Sequence, residues 1–348
     1  MTRDLTPPSP LSIDGEGRTS GERVPGSPNP SPSPFMERGP GGEVDLSVSV
    51  GPLTLRNPVL TASGTFGYGP EFEGFVDFDR LGGLVTKGIS LAERAGNLPP
   101  RIVETSSGML NAIGLQNVGF QRFVTEKLPF LERVSCAVVA NVYGSALEDY
   151  VELARRFQAV DRVDAIELNV SCPNVSAGGV VFGKDPEMLR RVVAGTRAVF
   201  RRSLWVKLTP DVSDVAAMAR VCHDEGADAV SAINTFRGMA VDLDRRRPVL
   251  ANVFGGLSGP AIKPLALARV FEVARAVPIP VVGIGGIMTA RDALEFLLVG
   301  ASAVQLGTAN FIDPAVSMTV IDGLGQYLTE RGITRITELI GAITVPGR

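Results

Sequence analysis

The chain has 348 residues, and its 34 basic and 37 acidic side chains nearly cancel to a formal net charge of -3. This balance gives neither the basic field that nucleic acid requires nor a polybasic patch for a membrane surface, so a small-molecule role is favoured. Residues 276–288, the most apolar segment, are too few to span a bilayer and are interrupted by prolines. Three scattered cysteines and one histidine argue against a disulfide framework and a metal site, and they predict a reducing, cytoplasmic setting.

The composition changes sharply near residue 43. Residues 1–40 contain nine of the 25 prolines, together with many serines and glycines, and lack an apolar run that could start a core. We therefore expect residues 1–43 to be a disordered extension and residues 44–348 to be one folded domain. The extension lacks the apolar core of a secretory signal. Met36 is an alternative translation start, in which case residues 1–35 are absent from the natural protein.

From residue 44 onward, eight short β-branched runs alternate with segments of helical periodicity, which is typical of βαβ units and a parallel sheet. Helices are predicted at residues 146–160, 186–200, 213–225, 264–277 and 290–299, with Pro186, Pro264 and Pro314 in first turns and Gly226 and Gly300 at helix ends. The predicted strands are residues 59–65, 83–89, 136–143, 165–172, 204–209, 229–235, 280–286 and 303–308.

The apolar run of each predicted strand finishes in a polar residue or a glycine. In a single (β/α)8 TIM barrel these ends converge on one mouth, where active sites are built. A doubly wound open sheet, the competing architecture, would spread them along an edge. We favour the barrel, whose expected mouth residues are Ser63, Lys87, Asn141, Asn169, Lys207, Asn234, Gly285 and Gly307.

Three glycine-rich segments indicate an anion site. GIGGI (283–287) and LGTA (306–309) end the seventh and eighth strands, and GGLSG (255–259) precedes a predicted helix. Backbone N–H groups freed by such turns, next to a helix N-terminus, bind phosphate in barrels of this type. Simple turn chemistry would explain any one segment, but all three together favour a phosphorylated ligand.

The lysines at the strand ends narrow the choice of ligand. Lys87 and Lys207 each follow apolar strand residues, where a buried ammonium needs an anion or a dipole beside it. Together with three strand-end asparagines they suit a polar, planar ligand such as FMN, with a lysine stabilising the reduced ring. A non-redox phosphosugar-binding aldolase or isomerase fits the phosphate and the lysines almost as well, and a noncatalytic flavin-binding module is a further alternative.

Cys172 is the candidate catalytic residue. It lies in NVSCPNV at the end of the fourth strand, before a glycine-bearing loop whose residues 176–183 are a candidate lid. A thiol has an ordinary pKa near 8.5, which suits a general base once the thiol is partly ionised. Cys136 and Cys222 fall within a strand and a helix, so we expect both to be core residues.

These segments resemble the class 1 dihydroorotate dehydrogenases, most closely the catalytic subunit of the NAD-linked class 1B enzymes. The resemblance begins near Leu46 and lies in SGTFG, VTKGI, NAIGLQN, ANVYG, ELNVSCPN, VKLTP, INT with GMAVD, GGLSG, GIGGI and LGTA. It implies oxidation of (S)-dihydroorotate to orotate in de novo pyrimidine (UMP) biosynthesis, with FMN as the bound hydride acceptor.

The resemblance also implies roles for individual residues. Cys172 takes the proton from C5 of dihydroorotate while hydride leaves C6 for flavin N5. The implied FMN contacts are Ser63, Lys87, Gly88, Asn141, Asn169, Lys207, Ile233, Gly259, Gly285, Gly286, Gly307 and Thr308. The implied substrate contacts are Lys87, Asn111, Ala112, Ile113, Gly114, Leu115, Asn169, Asn174, Asn234 and Thr235.

The class 1B resemblance implies a partner as well. An electron-transfer subunit with FAD and a [2Fe-2S] cluster would pass electrons to NAD, in a heterotetramer of two catalytic and two electron-transfer subunits. This chain cannot supply the cluster, because its three separated cysteines fall short of four thiolate ligands. The arginines at residues 245–247 are either a docking patch or a solvated loop. A class 1A-type fumarate-linked enzyme and a dihydropyrimidine-type FMN oxidoreductase are the redox alternatives.

Overall fold

Eight parallel strands close into a barrel, as the alternating sequence pattern predicts. The computed structural model describes residues 44–171, 173–174 and 180–346, with the backbone only at residues 173, 174 and 180, so the predicted extension at 1–43 lies outside it. Each strand pairs with the next along the chain, and the eighth pairs with the first, which excludes the open sheet. The barrel strands are β1 (Val59–Thr61), β2 (Gly83–Val85), β3 (Ala137–Val142), β4 (Ala165–Asn169), β5 (Ser203–Lys207), β6 (Ala229–Ala232), β7 (Val281–Ile284) and β8 (Ala303–Leu306).

Helices surround the barrel, and each predicted helical segment is a helix whose ends lie within three residues of the prediction. These helices are Leu147–Gln158, Pro186–Val199, Val215–Asp224, Lys263–Ala274 and Ala290–Leu298. Shorter helices Gly119–Arg122 and Leu128–Leu131 flank a π-helical turn at Phe123–Lys127, and Ala309–Ile312 and Val316–Arg331 follow β8. Single 3-10 turns occur at Pro70–Phe72, Phe182–Lys184, Pro260–Ile262 and Ile336–Leu339.

The ends of the helices follow local sequence signals. Asp185 caps its helix by accepting a hydrogen bond of 2.8 Å from the backbone N–H of Met188, and Pro186 follows in the first turn. Gly226 and Gly300 lie just beyond two helix ends with φ angles of 88° and 114°, which a side chain would disfavour.

One predicted helix start is wrong. Pro314 lies before the N-cap residue Ala315, outside the first turn of Val316–Arg331. The side chain of Asp313 accepts a hydrogen bond of 2.9 Å from the N–H of Ala315, and its carbonyl accepts one from Val316. This turn delays the start of the helix by two residues.

A hairpin lies at the N-terminal end of the barrel. Its strands, Val48–Val50 and Leu53–Leu55, pair antiparallel through a turn at Gly51, which has a φ of 61°. A Cβ at Gly51 would lie 2.7 Å from Cβ of Asp228, the residue before β6. The hairpin therefore packs closely against the end of the barrel opposite the mouth.

A four-stranded antiparallel sheet, which we call the outer sheet, was not predicted. Two of its strands, Ile102–Thr105 and Gly108–Asn111, come from the β2–β3 connection, and two, Phe236–Met239 and Phe254–Ser258, come from the β6–β7 connection. The pairing of Gly256 with Asn111 joins the two connections. A separate small apolar cluster of Leu110, Ala112 and Leu250 lies beneath the sheet. The arginines at 245–247 lie in and after an exposed turn beyond the sheet.

Candidate functional site

The carboxyl ends of the barrel strands and the outer sheet enclose a cavity of about 840 Å³. All eight predicted mouth residues line it: Ser63, Lys87, Asn141, Asn169, Lys207, Asn234, Gly285 and Gly307. The further candidates for cofactor and substrate contacts that line the same cavity are Gly88, Ile233, Gly259, Gly286, Thr308, Asn111, Ala112, Ile113, Gly114, Leu115 and Thr235. The structure thus brings together residues separated by more than 240 positions.

Two candidates are not placed by the structure. Cys172 lies outside the described residues, as does the side chain of Asn174. The preceding residue, Ser171, lines the cavity, and the backbone pairs Pro173–Asn174 with Val180–Val181. Of the candidate lid, residues 176–179 also lie outside the description, whereas Phe182 is buried against the ring of Tyr150.

The glycine segments form a backbone cradle at one end of the cavity. Gly259, Gly285 and Gly286 have φ angles of 95°, 130° and 74°, which glycine adopts at no steric cost. A Cβ at Gly286 would lie 2.7 Å from the backbone nitrogen of Lys263, the first residue of helix Lys263–Ala274. Gly286 therefore packs closely on the start of this helix, and the three glycines line the cavity beside a helix N-terminus, an environment that favours an anion.

Lys207 lies at the bottom of the cavity and is only 5% exposed. Its Nζ donates to Oγ of Ser63 at 3.1 Å and lies 3.9 Å from Oε1 of Glu167. Lys207 pairs in register with Asn169 on the neighbouring strand, so an ammonium and an amide project together at the mouth. This pair supplies hydrogen-bond donors and one positive charge to a ligand.

Glu167 is fully buried on β4 and was not identified as a functional residue from the sequence. Its Oε1 accepts from Nδ2 of Asn141 at 2.8 Å, and its Oε2 accepts from Ser231 and Gln305, both at 2.7 Å. The sequence contains a signal for this residue, since a carboxylate within the apolar run AIELN must find several donors if the run is a buried strand.

Lys87 is a second, partly buried ammonium in the cavity. It makes no hydrogen bond or ion pair through Nζ with any residue that the structure describes. Desolvation by burial, followed by the charge of Arg101, lowers the pKa of Lys87 below the ordinary lysine value. A cation in this position is stabilised by a bound anion.

The substrate-loop candidates at residues 111–115 are held from behind by polar side chains. Nδ2 of Asn97 donates to the carbonyl of Ala112 at 2.9 Å. Nδ2 of Asn117 donates to the Tyr143 hydroxyl at 2.6 Å and to the carbonyl of Leu115 at 2.9 Å, and that hydroxyl donates to the same carbonyl at 2.8 Å. These bonds hold Leu115 at a φ of 60° and fix the loop before any ligand binds.

Asn234 connects the segment before Cys172 to the end of β6. Its Nδ2 donates to Oγ of Ser171 at 2.9 Å and to Oδ1 of Asn169 at 3.3 Å, while its Oδ1 accepts from the N–H of Thr235 at 2.8 Å. Ser171 also lines the cavity and was not predicted as a functional residue from the sequence. The network fixes the amide groups of both asparagines at the mouth.

The other two cysteines are core residues, as predicted. Cys136 and Cys222 are both buried, and desolvation raises the pKa of Cys136 to about 11 and raises that of Cys222 further. Neither thiol is suited to act as a base near neutral pH. Within the described ranges, no cluster of three or more potential metal ligands occurs, and none of the helices is long and apolar enough to cross a membrane.

Comparison with known proteins identifies the family. The family described as "Dihydroorotate dehydrogenase" matches residues 45–328. A relative from Trichlorobacter lovleyi, named "Dihydroorotate dehydrogenase B (NAD(+)), catalytic subunit", is 59% identical over 298 residues, which are 86% of this chain and 98% of the relative. A relative with the same name from Geotalea uraniireducens is 57% identical, and the alignment covers 87% of this chain and 99% of the relative. Another from Geobacter sulfurreducens is 56% identical, and the alignment covers 86% of this chain and 99% of the relative.

The fold also has a match among solved structures. A crystal structure of DHODH from Eimeria tenella, in complex with ferulenol, has a TM-score of 0.70 and 22% sequence identity over 89% of this chain and 91% of that chain. At this identity the match supports the barrel fold alone. Together, the family match over most of the described residues and the high identity to three relatives show that the chain is a member of the dihydroorotate dehydrogenase family of oxidoreductases.

Proposed function

We propose that this chain oxidises (S)-dihydroorotate to orotate with FMN bound at the barrel mouth. The observation that carries the proposal is the convergence, in one cavity, of a glycine cradle, the buried Lys207 and the partly buried Lys87. Such a cavity could support several reactions, and membership of the dihydroorotate dehydrogenase family is the reason to propose this one.

The donor set at one end of the cavity fits FMN. The cradle of Gly259, Gly285 and Gly286 lines the cavity beside the N-terminus of helix Lys263–Ala274, which is a suitable environment for a phosphate. FMN supplies the hydride acceptor, flavin N5, when bound. The residues that would hold it are Ser63, Lys87, Gly88, Asn141, Asn169, Lys207, Ile233, Gly259, Gly285, Gly286, Gly307 and Thr308.

Lys207 suits the part of FMN that gains negative charge on reduction. Its ammonium is buried and oriented by Ser63, so its charge acts in a medium of low dielectric constant. The Asn141 amide gives a donor to Glu167 and keeps Oδ1 to accept a hydrogen bond from the ring.

The substrate end of the cavity suits a pyrimidine dione carboxylate. Lys87 forms no ion pair with a carboxylate in the described part of the chain, and its ammonium can bind the carboxylate of dihydroorotate. The fixed amides of Asn169 and Asn234 and the backbone of residues 111–115 offer the donors and acceptors that the ring's N–H and C=O groups need. Asn174 and Thr235 complete this proposed set.

We assign the general base to Cys172. Its Sγ, as the thiolate, takes the C5 proton, while the C6–H electron pair leaves as hydride and a C5–C6 double bond forms. The assignment is supported by the neighbour Ser171, which lines the cavity, and by the burial of the other two thiols in the core. A positioned base of this kind contributes about 10²–10⁴-fold to the rate.

We further propose that the electrons pass to NAD through a partner subunit carrying FAD and a [2Fe-2S] cluster, in a heterotetramer of two catalytic and two electron-transfer subunits. The name shared by the three relatives supports the link to NAD and a companion subunit, because a catalytic subunit is one part of a larger assembly. The FAD, the cluster and the stoichiometry rest on the class 1B resemblance.

Anaerobic addition of dihydroorotate to the purified protein tests the proposed function. The flavin absorbance near 450 nm should bleach within the mixing time of a manual assay, and dihydrouracil at the same concentration should leave it unchanged. Colourless protein would favour the phosphosugar aldolase or isomerase, and yellow protein that does not bleach would favour a noncatalytic flavin-binding module. Bleaching by dihydrouracil instead would favour the dihydropyrimidine-type enzyme, and direct reoxidation by fumarate would favour the class 1A type.

A further inference from the structure

Glu167 is a buried carboxylate that has no role in the proposed reaction. It is 0% exposed, and three side chains from three other barrel strands donate to it: Asn141 on β3, Ser231 on β6 and Gln305 on β8. A carboxylate buried this deeply is costly, so its occurrence at the centre of the barrel needs a reason beyond packing.

Two partners of Glu167 also line the cavity. The side-chain amide of Asn141 donates an N–H to the Glu167 carboxylate, so the Oδ1 of Asn141 remains available to a ligand in the cavity. The ammonium of Lys207 lies 3.9 Å from Oε1 of Glu167. Within the described part of the chain, Glu167 is the sole carboxylate within ion-pair distance of Lys207. The carboxylate therefore determines the orientation of an amide and the net positive charge at the cavity floor.

We propose that Glu167 is a positioning residue that tunes the reduction of the bound flavin through Lys207 and Asn141. This inference rests on the proposed function, since it requires FMN above Lys207. The negative charge of Glu167 offsets part of the positive charge of Lys207. The hydrogen bonds from the three donors stabilise the carboxylate charge and so reduce its effect on Lys207. The carboxylate thereby keeps the reduced, anionic ring from being bound too tightly to pass its electrons on.

The substitution Glu167→Gln keeps the size of the side chain and one acceptor oxygen but removes the charge. It should raise the equilibrium ratio of reduced to oxidised FMN at a fixed ambient potential by at least tenfold, which is about 30 mV for a two-electron couple. Ser231→Ala removes one donor and leaves the carboxylate less compensated, so it should shift the ratio in the opposite direction.

Asp164→Asn is the matched control. Asp164 immediately precedes the same strand at its N-terminal end, where it accepts from the N–H of Val138 at 2.7 Å and from Arg162 at 2.9 Å. The Asp164→Asn substitution removes a carboxylate far from the mouth. The reduction potential of the flavin should therefore equal that of the wild type even if the free energy of unfolding falls. A structural role for Glu167 would not produce opposite shifts in the other two variants.

The measurement is a dye-equilibrated anaerobic redox titration of each purified holoprotein. Opposite shifts for Glu167→Gln and Ser231→Ala support the proposal, and wild-type potentials in both overturn it. If Glu167→Gln does not fold, the sign of the Ser231→Ala shift decides, and an unchanged or raised potential overturns the proposal. Wild-type protein that binds no flavin refutes the proposed function itself, which is a different outcome.

Discussion

Replacing Gly286 by alanine tests whether the glycine cradle binds the phosphate of FMN. The residue has a φ of 74°, and an added Cβ would lie 2.7 Å from the nitrogen of Lys263 and 2.9 Å from the carbonyl oxygen of Gly259. Both atoms belong to the backbone, so no side-chain rotation relieves the contact. The left-handed conformation costs about 1–2 kcal/mol, and overpacking adds a cost of about 1–3 kcal/mol.

The strain should weaken FMN binding because relieving it moves Gly286 away from Gly259 and the start of helix Lys263–Ala274, and both glycines line the cavity. A loss of about 1.4–2.8 kcal/mol in binding corresponds to a Kd raised about tenfold to a hundredfold. Gly325→Ala is the control, since it lies within helix Val316–Arg331 with Val44 Cγ2 at 4.0 Å as the nearest atom. That variant should keep its FMN affinity and gain up to about 1 kcal/mol of stability.

The assay is fluorescence titration of the apoprotein with FMN and, in parallel, with riboflavin, which lacks the phosphate. Gly286→Ala should lose affinity for FMN while riboflavin binds to it as it does to the wild type. Equal losses for the two flavins would show that the substitution disturbs the whole cavity. Unchanged FMN binding would refute the assignment of the cradle to phosphate.

Three other substitutions test the remaining roles. Cys172→Ala should retain FMN but slow its reduction by dihydroorotate about 10²–10⁴-fold in anaerobic stopped-flow experiments, and a wild-type rate would remove the proposed base. Lys87→Met should weaken orotate binding about 10–100-fold, the loss of a charge-assisted hydrogen bond. Because burial and Arg101 lower the pKa of Lys87, the wild-type orotate affinity from flavin difference spectra should fall with rising pH already below 10.5, and a flat profile up to that pH would contradict this. Asn117→Ala should reduce the free energy of unfolding by about 1–3 kcal/mol and raise the KM for dihydroorotate, with FMN affinity unchanged in titration; an unaltered KM would mean that the loop needs no support from Asn117.

The barrel was predictable because its strands are short, apolar runs with a single regular alternation. Burial on both faces makes such runs nearly continuous in hydrophobicity, and the polar residues that end them, such as Asn141 and Lys207, mark the mouth. All eight strand-end residues consequently lie where the pattern predicts them.

The outer sheet was not predictable from the same signals. Its strand Ile102–Thr105 alternates exposed and partly buried residues, and Phe254–Ser258 has two adjacent glycines that weaken a strand pattern. The sheet exists because Asn111 pairs with Gly256, a contact between residues 145 positions apart. Single-segment periodicity contains no information about such a pairing.

Glu167 was missed for a related reason. A charged residue in an apolar run is ordinarily read as an interruption, and its three donors lie on strands distant in sequence. Only the closed barrel shows that these donors meet.

The outer sheet has a consequence for how such a scaffold can diversify. The half of the cavity that we propose for FMN is built from β-strand ends whose geometry is constrained by barrel closure, as at Lys207 and Gly285. The half that we propose for the substrate includes Asn111 and Thr235, which lie in the β2–β3 and β6–β7 connections. If these assignments hold, alterations in the two connections change which substrate is selected and leave the proposed FMN site intact.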